Sequence, residues 1–88
     1  MPFQGMNTEE LRKLAQLMTT ASEELGSAIG RVSQALRTST WKGSDAAHIE
    51  DDWRRHRDSL ADAARFLSGA AQTMRNSAQQ QENVSDAG

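Results

Sequence analysis

The residues best suited to acid–base or metal chemistry lie in one charged stretch, residues 48–58. His48, Asp52 and His56 follow one another at intervals of four residues, which places them on one face of a helix. The two histidines are eight residues apart, or about 12 Å along a helix axis, which is too far to bind one small ion together. The chain contains no cysteine and no third histidine. We therefore predict no metal site, no cofactor and no acid–base catalysis in this stretch.

The same stretch mixes acidic and basic residues, as an exposed helix face does. We expect ion pairs between residues four positions apart, Glu50 with Arg54 and Asp51 with Arg55. The interleaved acids cancel the field of the arginines, and the net charge is −2, so we expect no nucleic-acid partner. The chain has no glycine-rich phosphate loop and no nucleophile elbow. These observations predict a protein that is not an enzyme.

Long helices are predicted to carry this charged stretch. Of 88 residues, 36% are hydrophobic, six are glycine and one is proline, which indicates an all-α protein. Asn7 is a predicted N-cap, and Glu10 follows three residues later as in a capping box. We expect helix 1 over about residues 8–37, a turn over 38–44 and helix 2 over about 45–78, so that residues 1–78 form one helical hairpin. The polar residues 79–88 are predicted to be a flexible tail.

Apolar residues recur every seven positions in both predicted helices. In helix 2, one row begins at Ala46, and a second runs through Ile49, His56, Ala63 and Ala70. When the chain turns back on itself, these rows meet the rows of helix 1 in an antiparallel hairpin. The predicted core of the hairpin and of its dimer consists of Leu11, Leu14, Met18, Leu25, Ile29, Val32, Leu36, Ile49, Trp53, Leu60, Phe66, Leu67 and Met74.

The apolar stripes are wider than two helices can cover. The residues expected to remain at least partly in water are Leu17, Ile29, Leu36, Phe66 and Trp53. An exposed apolar strip of several hundred Å² usually marks a partner surface. Pairing with a second hairpin closes the core as a dimeric four-helix bundle. The stripes leave open whether the second hairpin is the same chain or a different one.

A Trp-x-Gly tripeptide lies between the two predicted helices. Gly43 has no Cβ and suits a tight reversal, while Trp41 is a large aromatic residue placed in a turn. With Trp53 facing inward in helix 2, a cysteine-free chain of this length resembles the WXG family of type VII secretion substrates. These are the early-secreted-antigen-like proteins of actinobacteria and their relatives. The resemblance covers essentially the whole chain, and residues 76–81 also look like the ends of actinobacterial members.

The resemblance implies an export signal shared between two subunits. Family members form homo- or heterodimeric four-helix bundles, and a membrane ATPase machine exports them folded. In the family, Trp-x-Gly of one subunit lies near a Tyr-x-x-x-Asp/Glu motif at the start of the partner's C-terminal tail. Trp41 and Gly43 match the first motif. Ala78 and Glu82 have the spacing of the second, but alanine stands in the aromatic position and the chain has no tyrosine.

The partners implied by the resemblance are a second helical hairpin, from the same chain or a paralogous family member, and the secretion-system ATPase. The chain then leaves the cell with a partner that carries the complete motif, or by means of a divergent tail.

The expected location follows from two features of the sequence. The N-terminus lacks the basic-then-apolar layout of a signal peptide, so we expect secretion without a cleaved signal after synthesis in the cytoplasm. No apolar run approaches the roughly 18 residues of a membrane span, so stable membrane insertion is not expected. Two alternatives remain open: a cytoplasmic helical adaptor with no export role, and a membrane-active helical toxin. The charges scattered over the outer faces argue against the toxin.

Overall fold

The computed structural model describes residues 7–87 as two long α-helices. Helix α1 spans Thr8–Thr38 and helix α2 spans Ser44–Ala87. The helices run antiparallel, because Arg12 near the start of α1 bonds Glu82 near the end of α2. The resulting rod is 67 Å long. The all-α class and the helical hairpin predicted from the sequence are confirmed.

Helix α1 begins at the predicted cap. The Asn7 side chain accepts a hydrogen bond of 2.8 Å from the backbone N–H of Glu10, which satisfies one of the free amides of the first turn. Glu9 and Glu10 lie at the positive end of the helix dipole, and Arg37 lies in the last turn at the negative end. Both ends of α1 therefore follow from local sequence.

Helix α2 continues to Ala87, whereas the sequence predicted an end near residue 78 and a flexible tail over 79–88. The prediction was wrong because it treated this polar segment as disordered, although Gln and Glu are good helix formers. The side chains of Gln79 and Asn83 bond each other at 3.1 Å across one helical turn, and Glu82 bonds Arg12 of α1 at 2.9 Å. Residues 1–6 of the predicted hairpin and Gly88 of the predicted tail lie outside the described residues.

The best-packed part of the hairpin is its free end, which we define as the end opposite the connection between the helices. Leu11, Ala15, Ala71, Met74 and Ala78 are buried there, each at most 1% exposed. Three of the five are alanines, which let the two backbones approach closely. Full burial of a side chain as large as Leu11 or Met74 contributes about 1.5–3 kcal/mol. The residues packed against this cluster are Leu14 and Met18.

The predicted core residues differ in how far a single hairpin covers them. Leu11 and Met74 are buried. The half-buried ones are Leu14, Met18, Leu25, Ile29, Leu36, Trp53, Leu60 and Leu67. The exposed ones are Val32, Ile49 and Phe66.

One predicted row of helix 2 lies one residue away from the row that packs against α1. Ile49, His56 and Ala63 are exposed. The packed row is instead the one that contains Arg57, Ala64, Ala71 and Ala78. Alanine occupies both rows, at 63 and 64 and again at 70 and 71, and the predicted row has Ile49 where the packed row has Glu50, so the hydrophobic pattern favoured the predicted row.

Candidate interaction surfaces

The connection between the helices is a short reversal over residues 39–43. The backbone N–H of Trp41 donates to Ser39 Oγ at 3.0 Å. Gly43 has a φ of 108°, in the left-handed region that side chains rarely adopt, which favours glycine at this position. Trp41 is thereby held at the tip of the hairpin with half of its surface, 50%, in solvent. A large aromatic residue exposed to this extent is available for contact with a partner.

A shallow, open groove of about 560 Å³ lies between the helices beside this connection. Both tryptophans line it. The Trp53 indole N–H donates to Ser33 Oγ at 3.0 Å, which fixes that ring across the two helices. Ala46, which is 6% exposed, also lines the groove.

Basic side chains dominate the charge of the groove. Its ionisable lining residues are Arg37, Lys42, Arg54, Arg57 and Glu50. Arg54 and Arg57 lie 3.7 Å from the carboxylates of Asp51 and Asp58, respectively, in exposed pairs of low strength. Indole faces and guanidinium groups suit contacts with aromatic and anionic groups. The groove is therefore suited to contacts with aromatic or anionic groups.

The histidines of the charged stretch lie in solvent. His48 and His56 are both exposed, and Asp52 between them bonds Arg55. Within residues 7–84, no group of three potential metal-ligating side chains comes together. The ion pairs of this stretch also differ from prediction, because Asp51 pairs with Arg54 and Asp52 with Arg55, residues three rather than four positions apart. Both spacings join neighbouring side chains on a helix surface.

The residues that match the spacing of the tail motif lie at the free end, far from Trp41. Ala78 is fully buried in the core cluster. The Glu82 carboxylate accepts hydrogen bonds of 2.9 and 3.2 Å from the Arg12 guanidinium. Within one chain, the structure thus places Trp41 and Gly43 at one end of the rod and Ala78 and Glu82 at the other.

One side of the hairpin is held together by polar bonds between the helices. We call it the polar face and define it by Arg12 and Thr19 of α1 and Arg75 and Glu82 of α2. Arg75 donates to Thr19 Oγ1 at 2.8 Å, and Arg12 bonds Glu82. These bonds were not predicted from the sequence. In the sequence, the only indication of these bonds is a spacing of seven residues next to the apolar rows, from Arg12 to Thr19 and from Arg75 to Glu82.

The opposite side of the hairpin is apolar and exposed. A helix turns about 100° per residue, so Leu14, Leu17 and Ala21 lie on the flank of α1 away from Arg12 and Thr19. The same geometry places Ile49, Ala63 and Phe66 on the matching flank of α2. We call this side the apolar face. Its large exposed side chains, with their exposed fractions, are Leu17 (65%), Val32 (41%), Ile49 (46%) and Phe66 (70%).

Comparison with known proteins adds no identification. Neither a protein-family model, nor a characterised protein, nor a solved structure matches the chain. Within the described part of the chain, neither helix has a segment apolar enough to cross a membrane.

Proposed function

We propose that this protein is a small, non-enzymatic helical hairpin that a type VII (ESX-like) secretion system exports, paired with a second hairpin in a four-helix bundle. The observation that carries the proposal is the placement of Trp41 and Gly43. Trp41 and Gly43 belong to the five residues, 39–43, between the two long helices, and the Trp41 side chain is half in solvent. An exposed indole at the tip of the hairpin is suited to recognition by the secretion-system ATPase or by the partner subunit.

The pairing is supported by the apolar face. Phe66 and Leu17 are more than half exposed on a side of the hairpin that also carries a series of alanines. Soluble monomers rarely leave a continuous apolar surface of more than a few hundred Å² in water. A second hairpin laid on this face covers it and completes a four-helix core.

The positions that match the tail motif favour export together with a partner. Ala78 is packed inside the hairpin, and Glu82 is engaged by Arg12. In the absence of any tyrosine, we propose that the partner supplies the aromatic half of the signal. This chain then supplies Trp41 and Gly43.

The test is fractionation of cultures of the native host with and without its type VII ATPase, probed for this chain. We expect the chain outside the cell only when the ATPase is present. Trp41→Ala is expected to reduce export at least tenfold while helicity, measured by circular dichroism, stays within a few per cent of the parent chain.

Thr40→Ala is the matched control, because Thr40 is the exposed neighbour of Trp41 in the same connection. It is expected to be exported like the parent chain. Retention of the chain inside the cell in both strains would refute the export proposal and would favour the cytoplasmic adaptor, which needs only the apolar face. A large loss of helical signal in Trp41→Ala would assign the residue a structural role instead.

A further inference from the structure

Two hydroxyl-bearing residues of the chain follow an arginine by three positions. Thr40 follows Arg37 at this spacing, and Ser68 follows Arg65. Serine/threonine kinases of the arginine-directed class recognise such a charge before the residue that they phosphorylate. Both Thr40 and Ser68 are exposed, so neither the sequence pattern nor exposure distinguishes the two positions.

The backbone does distinguish them. Ser68 lies within helix α2, whereas Thr40 lies in the connection between the helices, directly after Ser39, whose backbone is extended. A kinase must bring the acceptor hydroxyl in line with the γ-phosphate of ATP inside its active site. A helix with its side chains is about 10–12 Å across, so Ser68 reaches such a site only if α2 opens locally. Thr40 is accessible without any unfolding.

The hydroxyl groups directly before Thr40 are engaged in hydrogen bonds. The Thr38 hydroxyl donates to the backbone carbonyl of Gln34 at 3.0 Å, and Ser39 Oγ accepts from the backbone N–H of Trp41 at 3.0 Å. Within the described part of the chain, the Thr40 hydroxyl forms no such bond. Thr40 therefore combines the arginine spacing with an accessible backbone and an unengaged acceptor oxygen.

We propose that Thr40 is a phosphorylation site for an arginine-directed serine/threonine kinase that uses ATP. The Thr40 oxygen attacks the γ-phosphorus of ATP and forms a new P–O bond, while the bond from that phosphorus to the bridging oxygen of ADP breaks. The hydroxyl proton passes to the catalytic carboxylate of the kinase. The product carries about two negative charges next to Trp41. The site is additional to the proposed function and does not depend on export.

Phosphorylation changes the charge of the connected end of the hairpin. Arg37 and Lys42 lie on either side of Thr40 in the sequence, and both line the groove. Guanidinium and ammonium groups bind phosphate through charge-assisted hydrogen bonds. A phosphate on Thr40 thus neutralises part of the basic lining and opposes the binding of other anionic groups beside Trp41. In a chain that uses Trp41 as an export signal, phosphorylation then retains the chain in the cell, a consequence that rests on the proposed function.

The experiment measures phosphate transfer to the purified, full-length chain. The chain is incubated with an arginine-directed serine/threonine kinase and radiolabelled ATP, and the modified residue is located by mass spectrometry. We expect the parent chain to be labelled at Thr40. Thr40→Val should abolish labelling, and Arg37→Gln should lower its initial rate about tenfold, as expected for the loss of one charged hydrogen bond to the kinase.

The helical copy of the pattern supplies the matched controls. Ser68→Ala and Arg65→Gln remove an acceptor hydroxyl and an arginine at the same spacing within α2. We expect both variants to be labelled at the rate of the parent chain. Circular dichroism confirms that all four variants are folded, and a short substrate peptide confirms that the kinase is active.

Three results would overturn the inference. They are labelling of Ser68 equal to that of Thr40, a labelling rate that Arg37→Gln leaves unchanged, and a parent chain that stays unlabelled while the peptide is phosphorylated. The regulatory consequence is tested in cultures of the native host, where Thr40→Glu should be exported less than Thr40→Gln. Equal export of the two would refute that consequence. A chain that is labelled at Thr40 but never exported would keep the site and refute the proposed function.

Discussion

The two ends of the hairpin are packed in different ways. At the free end, Leu11 and Met74 are completely covered, and Ala15, Ala71 and Ala78 bring the helices close together. At the connected end, Ala46 is the one buried hydrophobic residue among those that the structure describes there, and it is 6% exposed. Trp53 lies between the helices at this end and bonds Ser33 across them.

The two ends differ in how far the hairpin covers its own apolar side chains. Small residues at the free end allow close helix contact, and the hairpin buries its own core there. At the connected end, Val32 and Ile49 remain exposed, and a groove lies between the helices. The free end thus covers its own core, while the connected end leaves apolar side chains in solvent.

The largest expected effect is at the free end. Met74→Asp buries an unpaired charge where the native side chain is 1% exposed, and we expect the isolated chain to lose most of its helical signal in circular dichroism. Phe66→Asp is the control with the same introduced charge at a position that is 70% exposed, and it should stay helical. Equal loss of structure in both variants would show that the apolar face is already part of the core.

A smaller effect is expected at the connection. Gly43→Ala forces a side chain into the left-handed region, at φ 108°, and should lower the free energy of unfolding by about 1–3 kcal/mol. Gly69→Ala lies within α2 with no atom within 4 Å of the new methyl group, and it should raise stability by about 1 kcal/mol. Urea denaturation is expected to show a lower free energy of unfolding for Gly43→Ala and a higher one for Gly69→Ala. If Gly43→Ala leaves the free energy of unfolding unchanged, the connection is free to change conformation.

The smallest expected effect concerns the polar bond at the connected end. Trp53 donates to Ser33 Oγ at 3.0 Å, and a neutral hydrogen bond of this kind contributes about 0.5–1.5 kcal/mol. We expect a coupling of this size in a double-mutant cycle of Trp53→Phe and Ser33→Ala, measured by urea denaturation. A coupling of zero would show that packing alone holds the indole between the helices.

The sequence predicted the features of the fold that depend on local chemistry. Asn7 with Glu10 gave the start of α1, and the seven-residue rows gave two helices that fold back on each other. The end of α2 was wrong, because no local breaker stops a run of Gln and Glu, and such residues extend a helix readily. The predicted row through Ala63 was wrong, because alanine also occupies the neighbouring row of Ala64 and Ile49 alone favoured the predicted one.

The candidate interaction surfaces were only partly predictable. The exposure of Leu17 and Phe66 followed from the width of the apolar stripes. The hydrogen bond between Arg75 and Thr19 was not predictable, because it depends on how the two helices are rotated relative to each other. The polar residues of one helix alone do not indicate that rotation.

Both tryptophans of the chain lie at the connected end, Trp41 at the tip and Trp53 about three helical turns along α2. Intrinsic fluorescence therefore reports on that end alone, while far-ultraviolet circular dichroism averages over the whole rod. The native chain thus carries its own local probe of cooperativity. If its fluorescence and dichroism melting curves coincide, the well-packed and the loosely packed halves unfold as one unit. An earlier fluorescence transition would mean that the tip opens while the free end is still folded.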